Sequence, residues 1–103
     1  MHIVIFITAP NKKEAQKIAS GLVKNKLAPC VNIIDKIESV FFWGGKINRS
    51  KEVLLIVKSR KDKFKKIADF VKANHSYQVP EIISLPITSG FASYLRWIDD
   101  YLR

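Results

Sequence analysis

The sequence predicts a single α+β domain, and three observations support this prediction. Residues 3–7 (IVIFI) and 53–57 (VLLIV) are apolar and β-branched, as buried strands are. Gly44-Gly45 lies between two β-rich stretches, which favours a tight hairpin because glycine adopts positive φ without strain. Amphipathic helical patterns lie between and after the strands. The order is β-α-β-β-α-β with an extra C-terminal helix, which is the ferredoxin-like pattern with an antiparallel sheet.

The first strand and the first helix are defined by local signals. Residues 3–7 form the strand, and the sequence TAPN then ends it. Asn11 followed by Glu14 has the spacing of a capping box, in which the two side chains satisfy free backbone N–H groups at a helix start. Apolar residues then recur at helical spacing, with lysines on the opposite side. They are Ala15, Ile18, Ala19, Leu22 and Val23.

The remaining elements follow in the same way. Residues 31–43 and 47–59 should form one long antiparallel hairpin between the second and third strands. A second helix should begin near Lys61, with Phe64, Ile67, Ala68 and Val71 facing the core. Residues 81–87 (EIISLPI) are predicted to be the fourth strand. A third amphipathic helix is predicted from the apolar spacing of Phe91, Tyr94, Leu95, Ile98 and Leu102.

Composition suggests one domain and a reducing compartment. A chain of 103 residues, 48% of them hydrophobic, is expected to fold as one domain over residues 1–103. Its one cysteine, Cys30, cannot form an intrachain disulfide, so we expect a cytoplasmic protein. No apolar stretch approaches the roughly 20 residues that span a bilayer, so no membrane association is expected.

The apolar strands also predict self-association. In the ferredoxin-like arrangement, right-handed crossovers place both connecting helices on one face of the sheet. Residues 3–7 and 53–57 are apolar at every position and therefore present apolar side chains on both faces. Soluble monomers avoid large exposed apolar patches. The second face is therefore expected to be covered by further copies of the chain, with Phe41, Phe42 and Trp43 as anchors of the subunit contact.

Several separated segments resemble the CutA divalent-cation-tolerance family, along nearly the whole chain. They are TAP near the start, LAPCVNII at 27–34, SVFFWGGKI at 39–47, LLIVKS at 54–59, HSYQVPEIISLPI at 75–87 and YLRWI at 94–98. Their agreement in order and spacing is far more specific than a single motif. The resemblance implies a ferredoxin-like fold, a tight homotrimer with the sheets packed inside, and a role in tolerance of copper and other divalent metals.

Residues 74–87 contain most of the candidate ligands for such a metal, and Cys30 is a further one. His75 could bind through its imidazole, and Glu81 or the thiolate of Cys30 could join it across a subunit boundary, a donor set that suits copper or zinc. Gln78 and Tyr77 are supporting candidates. The alternative is structural, with residues 74–76 as a polar helix exit, Tyr77 as a packed ring and Cys30 as a small buried hydrophobe. No CxxC, HxxxH or HExxH occurs, so one chain offers no preformed closed site.

Other function classes have less support. No GxSxG motif or serine with a motif-placed base occurs, so we expect no enzyme. The net charge of +9 and the basic run at 58–66 fit either an anionic partner or a solvated lysine surface, and without a recognised module no nucleic-acid partner is expected. The alternative function is a regulatory or scaffold trimer similar to the nitrogen-regulatory PII proteins, with a small molecule or a protein partner at subunit clefts.

Overall fold

The computed structural model describes all residues from 1 to 103 and contains four strands and three helices. The strands are β1 (His2–Ala9), β2 (Cys30–Trp43), β3 (Lys46–Arg60) and β4 (Ile82–Pro86). The helices are α1 (Lys12–Lys24), α2 (Phe64–Asn74) and α3 (Ala92–Tyr101), and a short 3-10 turn (Lys61–Lys63) precedes α2. The predicted element order is confirmed. None of the helices is both long and apolar enough to cross a membrane.

The four strands form one antiparallel sheet in the order β2-β3-β1-β4. This is the strand order of the ferredoxin-like fold, so the predicted fold class is confirmed. β2 and β3 form the long hairpin, which closes where Trp43 pairs with Lys46. Both residues between them have positive φ, 62° at Gly44 and 77° at Gly45, as a two-residue type I′ turn requires.

The start of α1 differs in one respect from the capping-box prediction. Asn11 caps the helix, because its side-chain oxygen accepts a hydrogen bond from the Glu14 backbone N–H at 2.8 Å. The Glu14 carboxylate does not return to Asn11. It reaches instead across to Ser76, which lies after α2. A tertiary contact has therefore replaced the second half of the local motif.

One face of the sheet, here called the covered face, packs against α1 and α2. Alternate residues of β1 and β3 point to it and are buried, and apolar residues of the two helices complete a single core. The core residues that are fully buried include Ile5, Ile7, Ile18, Leu22, Leu55, Val57, Ile67 and Val71. One chain therefore completes this layer without help.

The opposite side, here called the open face, carries the other alternate set of apolar residues. Phe6 pairs with Ile56 on one side and with Ile83 on the other, so these three side chains form one row across the sheet. α3 packs beside this face and buries its own Ile98 and Leu102. It does not extend over the row, because Ile83 and Leu85 both remain 53% exposed. The open face is therefore apolar and only partly sheltered.

Candidate functional site

A cavity of about 730 Å³ lies where the segment after α2 meets the hairpin, and we call it the hairpin cleft. Its walls come from the hairpin strands, from the end of β1 and from residues 76–81. The lining residues are Thr8, Ser39, Val40, Phe41, Trp43, Glu52, Ser76, Tyr77, Gln78, Val79 and Glu81. Most of the residues predicted to be functional from sequence therefore line one cleft, and the exceptions are His75, Cys30 and Phe42.

His75 lies behind the hairpin cleft as a buried support. Its side chain has no exposed surface. Nε2 is 2.7 Å from the Thr8 carbonyl oxygen, and Nδ1 accepts the Tyr77 backbone N–H at 3.0 Å. A neutral imidazole with its proton on Nε2 satisfies both contacts. Metal ligation by His75 would therefore require that one of these two hydrogen bonds be broken.

Glu14 fixes the same segment from the other side. Its Oε2 accepts hydrogen bonds from the Ser76 backbone N–H at 3.0 Å and from the Ser76 hydroxyl at 3.1 Å. The same oxygen lies 3.3 Å from His75 Nδ1. Hydrogen bonds to a carboxylate are among the stronger ones in proteins. The segment that begins at His75 is thereby tied to the first turn of α1 and to the end of β1.

Tyr77 connects this segment to the hairpin. Its hydroxyl donates a hydrogen bond of 2.7 Å to Glu52 Oε2, and its ring stacks at a tilt on His75 with the centroids 4.8 Å apart. Burial, together with the hydrogen bond to Glu52, raises the pKa of the Tyr77 hydroxyl to about 12. Tyr77 therefore remains a protonated donor across the physiological range. It fixes one oxygen of Glu52.

The other polar residues of the cleft are more accessible. Gln78 and Glu81 are exposed and line its mouth. Glu52 is only 8% exposed, although it belongs by register to the open face. A buried carboxylate and an exposed one therefore face the same cavity.

Cys30 lies elsewhere on the sheet. It pairs with Lys58, which in turn pairs with Val4, whereas His75 contacts Thr8. Four residues along a strand correspond to about 13 Å, so the thiol and the imidazole do not meet within one chain. Lys58 Nζ lies 3.9 Å from Cys30 Sγ. Burial, with the adjacent Cys30 thiol, raises the pKa of the Tyr94 hydroxyl on α3.

The structure thus brings some of the predicted metal ligands together and separates others. Glu81, Gln78 and Tyr77 line the hairpin cleft, His75 supports it from behind, and Cys30 lies near α3. No group of three or more histidine, cysteine, aspartate or glutamate residues is placed to hold a metal ion within the chain. The shared site between chains stays a prediction.

The three aromatic residues predicted to anchor the subunit contact lie at the end of β2. Phe42 and Trp43 are 72% and 69% exposed, and Phe41 is also exposed. Ile47, across the turn, is similarly exposed. The end of the hairpin is therefore an exposed apolar surface. Large aromatic side chains stabilise a protein or an interface when they are buried. The role of the hairpin end in subunit contact stays a prediction.

The roles of two carboxylates in this region were not predicted from the sequence. Glu52 is a lone acidic residue immediately before the apolar residues 53–57 of β3, and that position next to an apolar run was the available signal. Glu14 was assigned to helix capping, because nothing in the local sequence indicates its contact with Ser76 62 positions later. Both carboxylates hold residues of the segment that follows α2.

Comparison with known proteins gives a consistent result. The family model described as CutA1 divalent ion tolerance protein matches residues 3–101. The divalent-cation tolerance protein CutA of Archaeoglobus fulgidus is 49% identical over 97% of this chain and 97% of its own length. The chloroplastic protein CutA of Arabidopsis thaliana is 46% identical over 98% of this chain. This chain spans only 56% of that plant protein.

Solved structures show the same fold. A structure described as the periplasmic divalent cation tolerance protein CutA from Archaeoglobus fulgidus superposes with a TM-score of 0.98 at 48% identity, covering 100% of both chains. The divalent cation tolerance protein from Thermus thermophilus gives a TM-score of 0.94 at 43% identity, with 95% of both chains covered. With the family model matching nearly the whole length, this chain belongs to the CutA1 divalent ion tolerance family.

Proposed function

We propose that this chain assembles into a homotrimer that binds divalent metal ions, copper among them, in metal-ion tolerance. The proposed ligands are His75, Cys30 and Glu81, with Gln78 and Tyr77 in support, at a site shared between copies. The protein acts as a binding protein and not as an enzyme. We place it in the cytoplasm because its lone cysteine suits a reducing compartment. Family membership supports the role in metal-ion tolerance.

The open face supports the proposed assembly. Phe6, Ile56 and Ile83 form an apolar row that no helix of the same chain covers. Apolar surface of this kind is removed from water at a gain of about 25 cal/mol per Å². A second copy of the chain has the same apolar row. Packing the open faces of two copies together therefore removes the row of each copy from water. The number three follows from the family resemblance in the sequence.

The donor chemistry supports the metal. Thiolate, imidazole and carboxylate together suit copper or zinc better than magnesium or calcium. Cys30 and His75 lie apart in one chain, so a site containing both must take them from different copies. Glu81 is exposed at the cleft mouth and can reach a neighbouring chain. In the assembled site, His75 would exchange one of its present hydrogen bonds for the metal.

Calorimetric titration with Cu²⁺ tests the proposed ligands. Cys30→Ser, Glu81→Gln and His75→Ala should each weaken copper binding by at least about tenfold, since one direct ligand to the metal contributes more than the roughly 1.4 kcal/mol of a tenfold change. The chain offers a matched control. His2→Ala removes the other histidine, whose Nε2 is bonded to Asp99 on α3, and should leave copper affinity unchanged.

The three variants distinguish the role of His75 from the existence of the metal site. His75→Ala also removes the partner of the Thr8 carbonyl, so sedimentation must show that the assembly persists before the titration is interpreted. Loss of binding in the other two variants, with His75→Ala unchanged, removes His75 from the ligand set. Unchanged copper affinity in all three variants overturns the proposed site.

One observation favours a second candidate function, that of a regulatory or scaffold trimer similar to the PII proteins. The hairpin cleft, at about 730 Å³, falls within the range of small-molecule pockets, which is about 300–1,000 Å³. Thermal shift against a panel of metals and small molecules tests this function. Stabilisation by a small molecule and none by copper would favour it over metal binding.

A further inference from the structure

We propose that the hairpin cleft binds a small organic cation with an apolar body, of the quaternary ammonium or aryl-alkyl amine class. This inference specifies the ligand for the cleft of the second candidate function. The cleft shares Glu81, Gln78 and Tyr77 with the proposed metal site but not Cys30 or His75, so the two proposals are tested separately, with metal ions removed for the organic cation. Three features of the cleft support it, namely the charge of its walls, the position of Glu52 and the aromatic side chains.

The cleft differs in charge from the rest of the molecule. The chain has 18 lysines and arginines and a net charge of +9, yet none of the eleven lining residues is basic. The two ionisable carboxylates among them are Glu52 and Glu81. An anion such as a nucleotide phosphate would meet no positive side chain there. A cation would meet two negative ones, and the attraction to Glu52 is the stronger because that residue is only 8% exposed and so less screened by water.

Glu52 supplies the second feature. It is 8% exposed, and the one hydrogen bond of its carboxylate is that of Oε2 with the Tyr77 hydroxyl. Its Oε1 has no hydrogen-bond partner in the chain. No fully enclosed side-chain oxygen or nitrogen in the molecule lacks a partner, so Oε1 remains in contact with solvent. Because Glu52 lines the cleft and this oxygen has no partner in the chain, the carboxylate can pair with a cation that enters the cleft.

Aromatic walls supply the third feature. Phe41, Trp43 and Tyr77 line the same cavity as the two carboxylates. The face of an aromatic ring attracts a cation within about 6 Å of its centroid, and quaternary ammonium groups are recognised in this way. A bare metal ion would use neither the rings nor a volume of about 730 Å³. A cation that carries apolar groups uses both.

The probe is benzyltrimethylammonium, titrated by calorimetry into the intact assembled protein with EDTA present to remove metal ions. The structure predicts saturable binding of this cation and none of benzenesulfonate, an anion of similar size. Glu52→Gln should weaken binding about tenfold, because it removes the charge and keeps an oxygen for the Tyr77 hydroxyl. Trp43→Ala should weaken it about fivefold through the lost cation–π contact, read only where sedimentation shows the assembly intact, because Trp43 is also a predicted anchor of the subunit contact.

Glu38→Gln is the matched control, because it removes an exposed carboxylate of β2 that does not line the cleft, and it should leave binding unchanged. Equal binding of cation and anion would overturn the proposal, as would Glu52→Gln binding as tightly as the unaltered protein. Absence of cation binding, with Glu52→Gln dissociating the assembly, would show instead that a second copy fills the cleft. A protein that binds the cation but not copper would overturn the metal proposal alone.

Discussion

The covered face and the open face of the sheet are built from the same strands yet end in different states. On the covered face, Ile5, Leu55 and Val57 are fully buried beneath α1 and α2. On the open face, their immediate neighbours Phe6 and Ile56 are only half-buried, and Ile83 is 53% exposed. Within residues 3–7 and 53–57, every side chain on either face is apolar. The difference lies in what covers them.

This contrast shows which part of the fold one chain can complete. A strand buried on both faces is apolar at every position, whereas a strand with one wet face alternates. Residues 3–7 of β1 and 53–57 of β3 have the first pattern, although the helices of a single chain fully cover one face only. The sequence pattern of β1 and β3 thus matches an assembled protein better than an isolated chain.

The largest expected effect is on the open face. Ile83→Asp should dissociate the assembly to single chains of 11.8 kDa, because it would place an unpaired charge in the proposed contact. Gln16→Asp, at an exposed position of α1, adds the same charge on the helix layer and should leave the assembly intact. Sedimentation velocity measures the mass of the assembly formed by each variant. An Ile83→Asp protein of unchanged mass would show that the open face is not the contact.

The neighbouring residues Leu54 and Leu55 give a sharper comparison within one strand, since their side chains point to opposite faces. Leu55→Ala should lower the free energy of unfolding by about 3 kcal/mol and leave the dissociation constant of the assembly unchanged. Leu54→Ala should instead raise that dissociation constant by at least about tenfold. Urea denaturation and sedimentation equilibrium supply the two quantities. If the two variants changed the free energy of unfolding and the dissociation constant by the same amounts, the assignment of Leu54 and Leu55 to opposite faces would be wrong.

The smallest expected effect concerns the segment that covers Glu52. The folded-state pKa of Tyr77 is raised to about 12 by burial and then by the Glu52 hydrogen bond, above the ordinary value of about 10. This contribution to stability is present below pH 10 and lost as the pH rises through 12. The difference in unfolding free energy between the unaltered protein and Tyr77→Phe should therefore narrow from about pH 10 to about pH 12. A constant difference would show that the hydroxyl contributes nothing through its protonation.

Much of the fold could be predicted from local sequence. Helix α1, the long hairpin and its Gly44-Gly45 turn follow from periodicity, capping and backbone freedom, which act over a few residues. The same signals slightly misplaced the ends of elements, since β1 covers His2–Ala9 where residues 3–7 were predicted. Strand ends depend on pairing with a partner strand, and pairing is a tertiary property.

The candidate site was less predictable for the same reason. The HSYQVPE stretch was identified from the sequence, and Tyr77, Gln78 and Glu81 do line the hairpin cleft. Glu52 and Glu14 were missed because their partners lie 25 and 62 positions away. The separation of Cys30 from His75 depends on strand register, which the residue types alone do not reveal.

Sedimentation equilibrium of the unaltered protein at micromolar concentration shows whether further copies of the chain cover the open face. We expect a single species of three times the 11.8 kDa mass of one chain. A stable particle of 11.8 kDa under these conditions would mean that the open face stays uncovered in solution.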